Sequence, residues 1–200
     1  MDEEKRVSRG CFFCKSGKEN EVVRQFEARF SDGRAVAPTK SRYRRVKDVA
    51  IEEKVPLLPG YVFFEMDDSA TGGSTPEPSE DENNEEALQF SLQTFSRIDS
   101  VLKLLRYSDG NWRLQGDDDK FAMLLFETGG NIGISQAYFD VGNRIRILDG
   151  FLKDYEGSIT RVNRKNRTVE VRVDLPGKKV SMKLGYELVE GIGSTDKMKA

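Results

Sequence analysis

The chain has 200 residues and a net charge of −2, which fits one large domain or two small ones. It has no histidine and two cysteines, so the usual acid–base and nucleophilic catalysts at neutral pH are largely missing. No apolar run approaches the roughly 20 residues of a membrane-spanning helix, and the charged N-terminus does not resemble a signal peptide. The sequence predicts a soluble, cytoplasmic protein and disfavours an enzyme.

The small net charge conceals a segregation of charge along the chain. Residues 1–64 carry +4, residues 65–140 carry −11 and residues 141–200 carry +5. The local field, and not the total charge, decides whether a surface attracts nucleic acid. The C-terminal segment is therefore a candidate for binding an anionic partner.

The N-terminal segment predicts a solvated tail over residues 1–8 and then a first strand. Cys11 and Cys14 in this strand form a C-x-x-C motif, which occurs in redox and zinc sites. A closed zinc site needs four ligands, and no second pair is present. Because residues i and i+3 of a strand point to opposite faces, we interpret the cysteines as small buried hydrophobes. No metal or cofactor is expected.

An amphipathic helix is predicted next. Ser16 and Glu19 have the spacing of a capping box, and the turn signal Asp32-Gly33 ends the pattern. The apolar residues recur at helical spacing, namely Val22, Val23, Phe26 and Phe30. A basic run follows at Lys40, Arg42, Arg44, Arg45 and Lys47. It is either a nucleic-acid contact or, the favoured interpretation, a solvated strand or loop.

Two prolines and a glycine pin a loop over residues 56–60 ahead of the apolar strand 61–65. Because the apolar residues of this strand do not alternate, it is expected to be buried on both faces or to lie beside an adhesive surface. Leu57, Leu58 and Tyr61 are expected to be exposed on the loop unless a partner covers them.

The middle of the chain predicts a long acidic loop followed by three elements. Residues 67–86 are acidic and rich in Gly, Ser and Pro, as is typical of disorder. Apolar periodicity over residues 88–98 predicts a second helix, and residues 101–107 are strand-like. The acids at 117–119 suit the first turn of a third helix, and their adjacency makes them poor metal ligands.

The C-terminal stretch 142–190 alternates apolar and polar residues over four or five short runs, with turn residues between them. Val169, Val171 and Val173, for example, alternate with charged residues. Fewer than 50 residues of this kind cannot form two sandwich layers. A small, strongly bent barrel is therefore predicted, since closure removes exposed edges.

Three motifs together carry a family resemblance. Residues 147–159 (ILDGFLKDYEGSI) resemble a KOW motif, and they follow CKSGKE at 14–19 and PLLPGYVFFE at 56–65. In this order and spacing they resemble NusG-type transcription elongation factors. The resemblance implies an α+β fold, with an N-terminal NGN α/β sandwich (an open, mainly antiparallel sheet flanked by helices) and a C-terminal SH3-like β-barrel, the KOW domain.

The resemblance also implies domain bounds. These are a tail at 1–8, an NGN domain at 9–128 with a disordered acidic insertion at 67–86, a linker at 129–140, a KOW domain at 141–190 and a second tail at 191–200.

NusG-like factors bind the clamp region of RNA polymerase through an apolar patch and suppress pausing and termination without chemistry. Carried over by position, that patch would comprise Phe12, Phe13, Leu57, Leu58, Tyr61 and Phe63. The KOW domain would recruit RNA, a ribosomal protein or Rho. Pro176 stands where general factors present a phenylalanine, a departure that puts the ribosome and Rho contacts in doubt. A monomer is expected.

Basic residues of the C-terminal segment could bind the phosphates of an RNA hairpin in a leader transcript. They are Lys153, Arg161, Arg164, Lys165, Arg167, Lys178, Lys179 and Lys183. The alternative, weighed equally, is that these charges only solubilise the turns.

Several hypotheses about the function stay open. Residues 96–105 and 131–138 resemble specialised LoaP-like antiterminators, which favours a processive antitermination factor. The alternatives are a general NusG-type factor that couples polymerase to the ribosome or Rho, a ribosome-associated KOW protein and, remotely, a thiol oxidoreductase.

Overall fold

The computed structural model describes residues 7–47, 49–67, 97–176 and 178–189. Within them the elements, in chain order, are β1 (Val7–Cys14), α1 (Glu19–Arg29), β2 (Arg34–Val36), β3 (Thr39–Val46), β4 (Val49–Pro56), β5 (Tyr61–Asp67), β6 (Val101–Leu104), α2 (Gly116–Glu127), β7 (Asn131–Ile132), β8 (Ser135–Phe139), β9 (Ile145–Asp149), a 3-10 helix (Phe151–Ser158), β10 (Ile159–Asn163), β11 (Thr168–Leu175) and β12 (Lys178–Leu188). This is the α+β fold class that the sequence predicts.

Contacts group the chain into two units. The first holds residues up to Pro38, Leu58–Gly130 and Asp174–Lys178, and the second holds Thr39–Leu57, Asn131–Val173 and the residues from Lys179 onward. In this grouping residues 39–57 go with the C-terminal strands because β3 pairs in parallel with β7, whereas the predicted NGN domain included them.

The first unit is built on an antiparallel sheet with strand order β2-β5-β1-β6. Strand β5 is buried along almost its whole length, which confirms the prediction of burial on both faces. On one face Phe64 stacks on Phe12 at 4.4 Å, and Phe26 of α1 packs against both rings. On the other face Phe63 meets Phe121 of α2 edge-on at 5.5 Å. The sheet thus has a core on each side.

The helices of the first unit agree with the predicted positions but not with the predicted cap. Helix α1 starts at Glu19 and has no side-chain cap hydrogen bond, so the capping box expected from Ser16 and Glu19 is wrong. The Glu19 carboxylate is used elsewhere, as an acceptor for the backbone N–H of Gly60. The predicted acids occupy the first turn of α2. The predicted second helix and the acidic insertion lie largely outside the described residues.

The second unit contains two sheets, with strand orders β10-β11-β12-β8-β9 and β4-β3-β7. Val169, Val171 and Val173 of β11 are at most 6% exposed, so the predicted alternation is confirmed. The five-stranded, curled sheet is consistent with the predicted KOW barrel. Residues 135–139, predicted as part of a linker, form β8 instead, because they pair in parallel with β12 and antiparallel with β9.

No helix in the described parts of the chain is both long enough and apolar enough to cross a membrane.

Candidate protein- and RNA-binding surfaces

The six residues predicted to contact polymerase are mostly inside the protein. Five of them are buried, with exposures of 0% for Phe12 and Phe63, 7% for Leu57, 5% for Leu58 and 7% for Tyr61. Phe13 is half-buried, and its ring meets that of Tyr61 edge-on at 5.3 Å. The expectation that Leu57, Leu58 and Tyr61 would be exposed is therefore wrong.

The loop before β5 is buried because hydrogen bonds hold it to β1 and α1. The oxygen of Gly60 accepts from the N–H of Cys14 at 2.7 Å, and the N–H of Gly60 donates to Glu19 Oε1 at 2.6 Å. Gly60 has φ of 85°, which favours glycine. Burial opposes ionisation of Glu19, but hydrogen bonds from backbone N–H groups, including that of Gly60, lower its pKa overall. Such a loop supports the core and presents little apolar surface.

Accessible apolar surface on the first unit lies at the β6 edge of the sheet. Leu102 of β6 is 58% exposed, the highest value for a large hydrophobic residue among the described residues of this unit. Its neighbour Lys103 pairs in register with Phe13 of β1. Phe13 therefore shares its face of the sheet with Lys103, whereas Leu102 lies on the adjacent strand beside the register shift between Phe13 and Cys14.

The two cysteines are buried free thiols, at 0% exposure for Cys11 and 1% for Cys14. Burial, assisted by the charge of Cys14, raises the pKa of Cys11 well above its ordinary value. Burial and then the charge of Glu19 raise the pKa of Cys14 to about 11. A redox thiol needs the opposite shift. In the described part of the chain no cluster of acidic or cysteine side chains could hold a metal ion.

We expect neither thiol to react rapidly with a disulfide reagent in the native protein at pH 8. With a pKa of about 11, roughly one Cys14 side chain in a thousand is a thiolate at that pH. The absorbance of the released reagent should report no fast-reacting thiol in buffer and two after unfolding in guanidinium. Fast labelling of the native protein would instead support the oxidoreductase interpretation.

The basic run after α1 lies on β3, as the solvated-strand interpretation requires. Arg42 donates to Glu53 of β4 at 2.6 Å, and Arg44 lies 3.9 Å from the same carboxylate. Lys40 donates to the backbone oxygen of Lys183 at 2.6 Å. Burial, then the charges of Arg42 and Lys183, lower the pKa of Lys40. Part of this positive charge is thus neutralised by Glu53, and part is hydrogen-bonded to the backbone within the second unit.

The residues predicted to bind RNA are all exposed: Lys153, Arg161, Arg164, Lys165, Arg167, Lys178, Lys179 and Lys183. Four of them lie together on β10 and on the turn to β11, at residues 161–167. Lys179 and Lys183 lie on β12, and Lys153 lies on the 3-10 helix. Lys178 is the first residue of β12, and its contacts place it in the first unit.

Comparison with known proteins bears on the N-terminal part of this architecture. Residues 11–107, which run from the middle of β1 to just after β6, match the sequence model of the family described as transcription termination factor NusG. The match ends before α2 and covers 97 of the 200 residues, so the similarity to this family concerns the N-terminal part of the α+β fold.

A solved structure described as showing domain interaction in Thermotoga maritima NusG is also similar to this chain. The identity is 18%, the match covers 90% of this chain and 94% of that chain, and the TM-score is 0.49. No curated protein matches the chain.

A cleft on the second unit, outside the NusG-matched residues, was not predicted from the sequence. Four of the residues that line it are Phe139 at the end of β8, Arg144 in the turn before β9, Arg146 in β9, and Arg164 in the β10–β11 turn. Phe139 was predicted to lie in a linker. In the sequence, the signal for this cleft is limited to the presence of arginines and an aromatic residue in the same C-terminal segment. The strand pairing that brings them together joins residues that are distant in sequence.

Proposed function

We propose that this chain is a transcription elongation and antitermination factor that acts by binding, without chemistry. The match of residues 11–107 to the NusG family carries this proposal. Its NusG-matched residues would bind the clamp region of RNA polymerase and suppress pausing and termination. The basic strands after residue 140 would contact RNA in the leader of the transcript. A monomer that works in the cytoplasm fits this role.

The burial data refine which residues would contact polymerase. Phe12 and Phe63 are fully buried and would support the sheet from within. Leu57, Leu58 and Tyr61 would require a rearrangement to reach a partner. Leu102 combines an apolar side chain with 58% exposure, so we propose that it is the central contact. Phe13 is half-buried, and among the six residues predicted from the sequence it is the one with some access to solvent. Aromatic and large aliphatic anchors of this kind commonly dominate an interface.

Leu102→Asp is expected to weaken binding to RNA polymerase by at least about tenfold, since a charge would be desolvated at an apolar contact. Binding would be measured by biolayer interferometry with core polymerase, at low salt and at physiological salt. Val141→Asp is the matched control, because Val141 is 89% exposed and lies outside the NusG-matched residues. Its affinity should equal that of the natural protein.

The possible outcomes distinguish an error in the proposed contact residue from an error in the proposed function. Unchanged affinity of the Leu102→Asp variant, with binding by the natural protein intact, would place the contact elsewhere. Absence of polymerase binding by the natural protein at low salt would overturn the proposed function itself.

The second partner is proposed to be RNA because of the chemistry of the C-terminal strands. Their exposed cations suit phosphates, and such contacts weaken as salt concentration rises. Pro176 is buried and has no aromatic ring to offer a ribosomal protein or Rho. The resemblance to LoaP-like sequences adds support for a specialised factor.

A general NusG-type role is the second candidate, favoured by the family match alone. Mapping transcripts with and without the protein distinguishes the two. A specialised antiterminator should extend transcripts downstream of particular leaders, whereas a general factor should affect most transcripts. Co-sedimentation with ribosomes in the absence of polymerase would instead favour a ribosome-associated protein.

A further inference from the structure

An open cleft of about 500 Å³ lies on the second unit between β9, the end of the 3-10 helix and β10. Its volume is within the range of roughly 300–1,000 Å³ that is typical of sites for small ligands. Half-buried aliphatic side chains line part of it, at Ile145, Ile159 and Val162. The rest is lined by Phe139, by three arginines, and by Asn143, Glu156 and Gly157.

The guanidinium of Arg164 lies over the ring of Phe139 at this cleft, and this pair is called the Arg164–Phe139 platform. The guanidinium of Arg164 lies 4.0 Å from the centroid of the Phe139 ring. Two hydrogen bonds of 3.0 Å, from Nη2 to the backbone and side-chain oxygens of Asn143, hold the guanidinium in place. The Phe139 ring is itself set edge-on against Tyr186 at 6.3 Å. Because both groups are fixed, a planar ligand could stack here with little loss of side-chain freedom.

The other two arginines differ in how much of their charge is neutralised. Arg146 pairs with Asp140 and with Glu156, each at 3.0 Å, and these carboxylates raise the pKa of the guanidinium. Its charge is therefore largely balanced within the fold. Arg144 is exposed at the rim. The turn at residues 164–167 adds further exposed cations close in sequence to the platform.

We propose that this cleft takes one unpaired nucleotide of a single-stranded RNA. The base would lie on the Arg164–Phe139 platform and against the aliphatic side chains, and the flanking phosphates would approach Arg144 and the cations of the 164–167 turn. This inference rests on the proposed RNA-binding function and makes it more specific. The C-terminal strands would recognise an unpaired loop or end of the leader as well as the charge of its backbone.

The chemistry of the cleft favours a nucleotide over a peptide. Fixed aromatic and guanidinium planes stack on any base, and single-stranded RNA is commonly read in this way. An acidic peptide would use the arginines but would gain little from the platform. A double helix keeps its bases stacked within, so it could reach only the rim cations.

The test uses the full chain and a fluorescein-labelled 12-nucleotide RNA without secondary structure, alone or annealed to its complement. Fluorescence anisotropy gives the Kd for each form. The natural protein should bind the single strand more tightly than the duplex. Arg164→Lys keeps the charge and removes the planar group, so the Kd for the single strand should rise about tenfold while the Kd for the duplex changes little.

Two further variants make the comparison specific. Arg172→Lys makes the same change on an exposed residue of β11 outside the cleft, and it should leave both Kd values unchanged. Asn143→Gly tolerates the positive φ of 65° at this position and removes the side-chain acceptor of Arg164. It should weaken single-strand binding alone. Circular dichroism should show that each variant is folded.

Three results would overturn the inference. The first is single-strand affinity unchanged by Arg164→Lys, and the second is equal affinity of the natural protein for single strand and duplex; in both cases RNA binding itself would stand. The third is an Arg164→Lys variant that keeps its affinity for RNA but no longer binds a small-subunit ribosomal protein. The cleft would then be a protein-binding site. If the natural protein bound neither RNA form, the proposed RNA-binding function would fail with it.

Discussion

Gly10→Ala is expected to lower the free energy of unfolding by about 3 kcal/mol, at the upper end of the usual range for overpacking. A Cβ atom at Gly10 would lie 2.3 Å from Phe64 Cζ and 2.9 Å from Trp112 Cε3. Gly10 pairs directly with Phe64 across β1 and β5, so the ring of Phe64 covers the glycine. The clash therefore occurs at the centre of the sheet.

The ring of Phe64 cannot move aside easily. It stacks on Phe12 at 4.4 Å and on Trp112 at 5.5 Å, and it packs against Phe26 at 5.1 Å. All four side chains are at most 2% exposed. A close-packed aromatic cluster transmits such a displacement to all its members, so the cost is not confined to one side chain.

Chemical denaturation of the Gly10→Ala variant would measure this effect. Gly133→Ala is the control, because a Cβ atom there meets nothing within 4 Å; its free energy of unfolding should change by less than about 0.5 kcal/mol. Phe64→Leu in the Gly10→Ala background should be less harmful than the sum of the two single changes, because leucine leaves space for the methyl group. Additive effects would show that the two positions do not clash.

The parts of the fold that follow from short-range pattern were predictable from the sequence. The alternation of Val169, Val171 and Val173 gave β11 its buried face, and the apolar run at 61–64 indicated a strand between two layers. Both inferences need only the side-chain period of a strand and the contrast between apolar and polar residues. Helix α1 was found by the same reasoning at period 3.6.

The sequence predictions were wrong where contacts between residues distant in sequence determine the local structure. The sequence predicts an exposed loop at 57–60, but the hydrogen bonds of Gly60 with Cys14 and Glu19 hold this loop against the core. Residues 135–139 lack a strong strand signal, and their place in the sheet depends on pairing with β12, some 50 residues later. Parallel pairing over such a separation leaves little local trace in sequence.

The same cause limited the prediction of the candidate sites. The basic residues at 161–167 were identifiable because they are consecutive in the chain. The cleft was not, since Phe139 and Arg164 are 25 positions apart and meet only after β8 and β10 fold into one sheet. The proposed contact at Leu102 does not follow from the sequence for another reason: β6 is short, and neither its edge position nor its exposure follows from hydrophobicity.

Glu65→Leu is expected to lower the free energy of unfolding by about 3 kcal/mol, the lower end of the range for breaking a buried ion pair by removing one partner. Glu65 lies in the centre of β5 and is 7% exposed. It accepts from Arg9 Nε at 3.1 Å and from Arg34 Nε at 2.7 Å. Arg9 also pairs with Asp119 of α2 at 3.1 Å. The carboxylate therefore links β1, β2 and α2 through one charge.

The cost should depend on which partner is left without a counter-charge. The side chain of Arg34 is 67% exposed and can be solvated, whereas that of Arg9 is 17% exposed. Arg9→Met combined with Glu65→Leu should therefore recover at least about 1 kcal/mol relative to the sum of the single variants, because the poorly exposed guanidinium of Arg9, which would keep only Asp119 as a counter-charge, is removed as well.

A double-mutant cycle in urea measures this coupling directly. The exposed pair Lys120–Asp117, with side chains 70% and 93% exposed, is the control, and Lys120→Ala should cost less than about 0.5 kcal/mol. A Glu65→Leu variant as stable as the natural protein, or a cycle without coupling, would show that β5 is held by apolar packing alone. Strong coupling would instead mean that the strand at the centre of the NusG-matched residues is fixed in register by charge as well. That would explain why a strand with so little alternation adopts one pairing, since a shift of one residue would turn Glu65 into the apolar face occupied by Phe64.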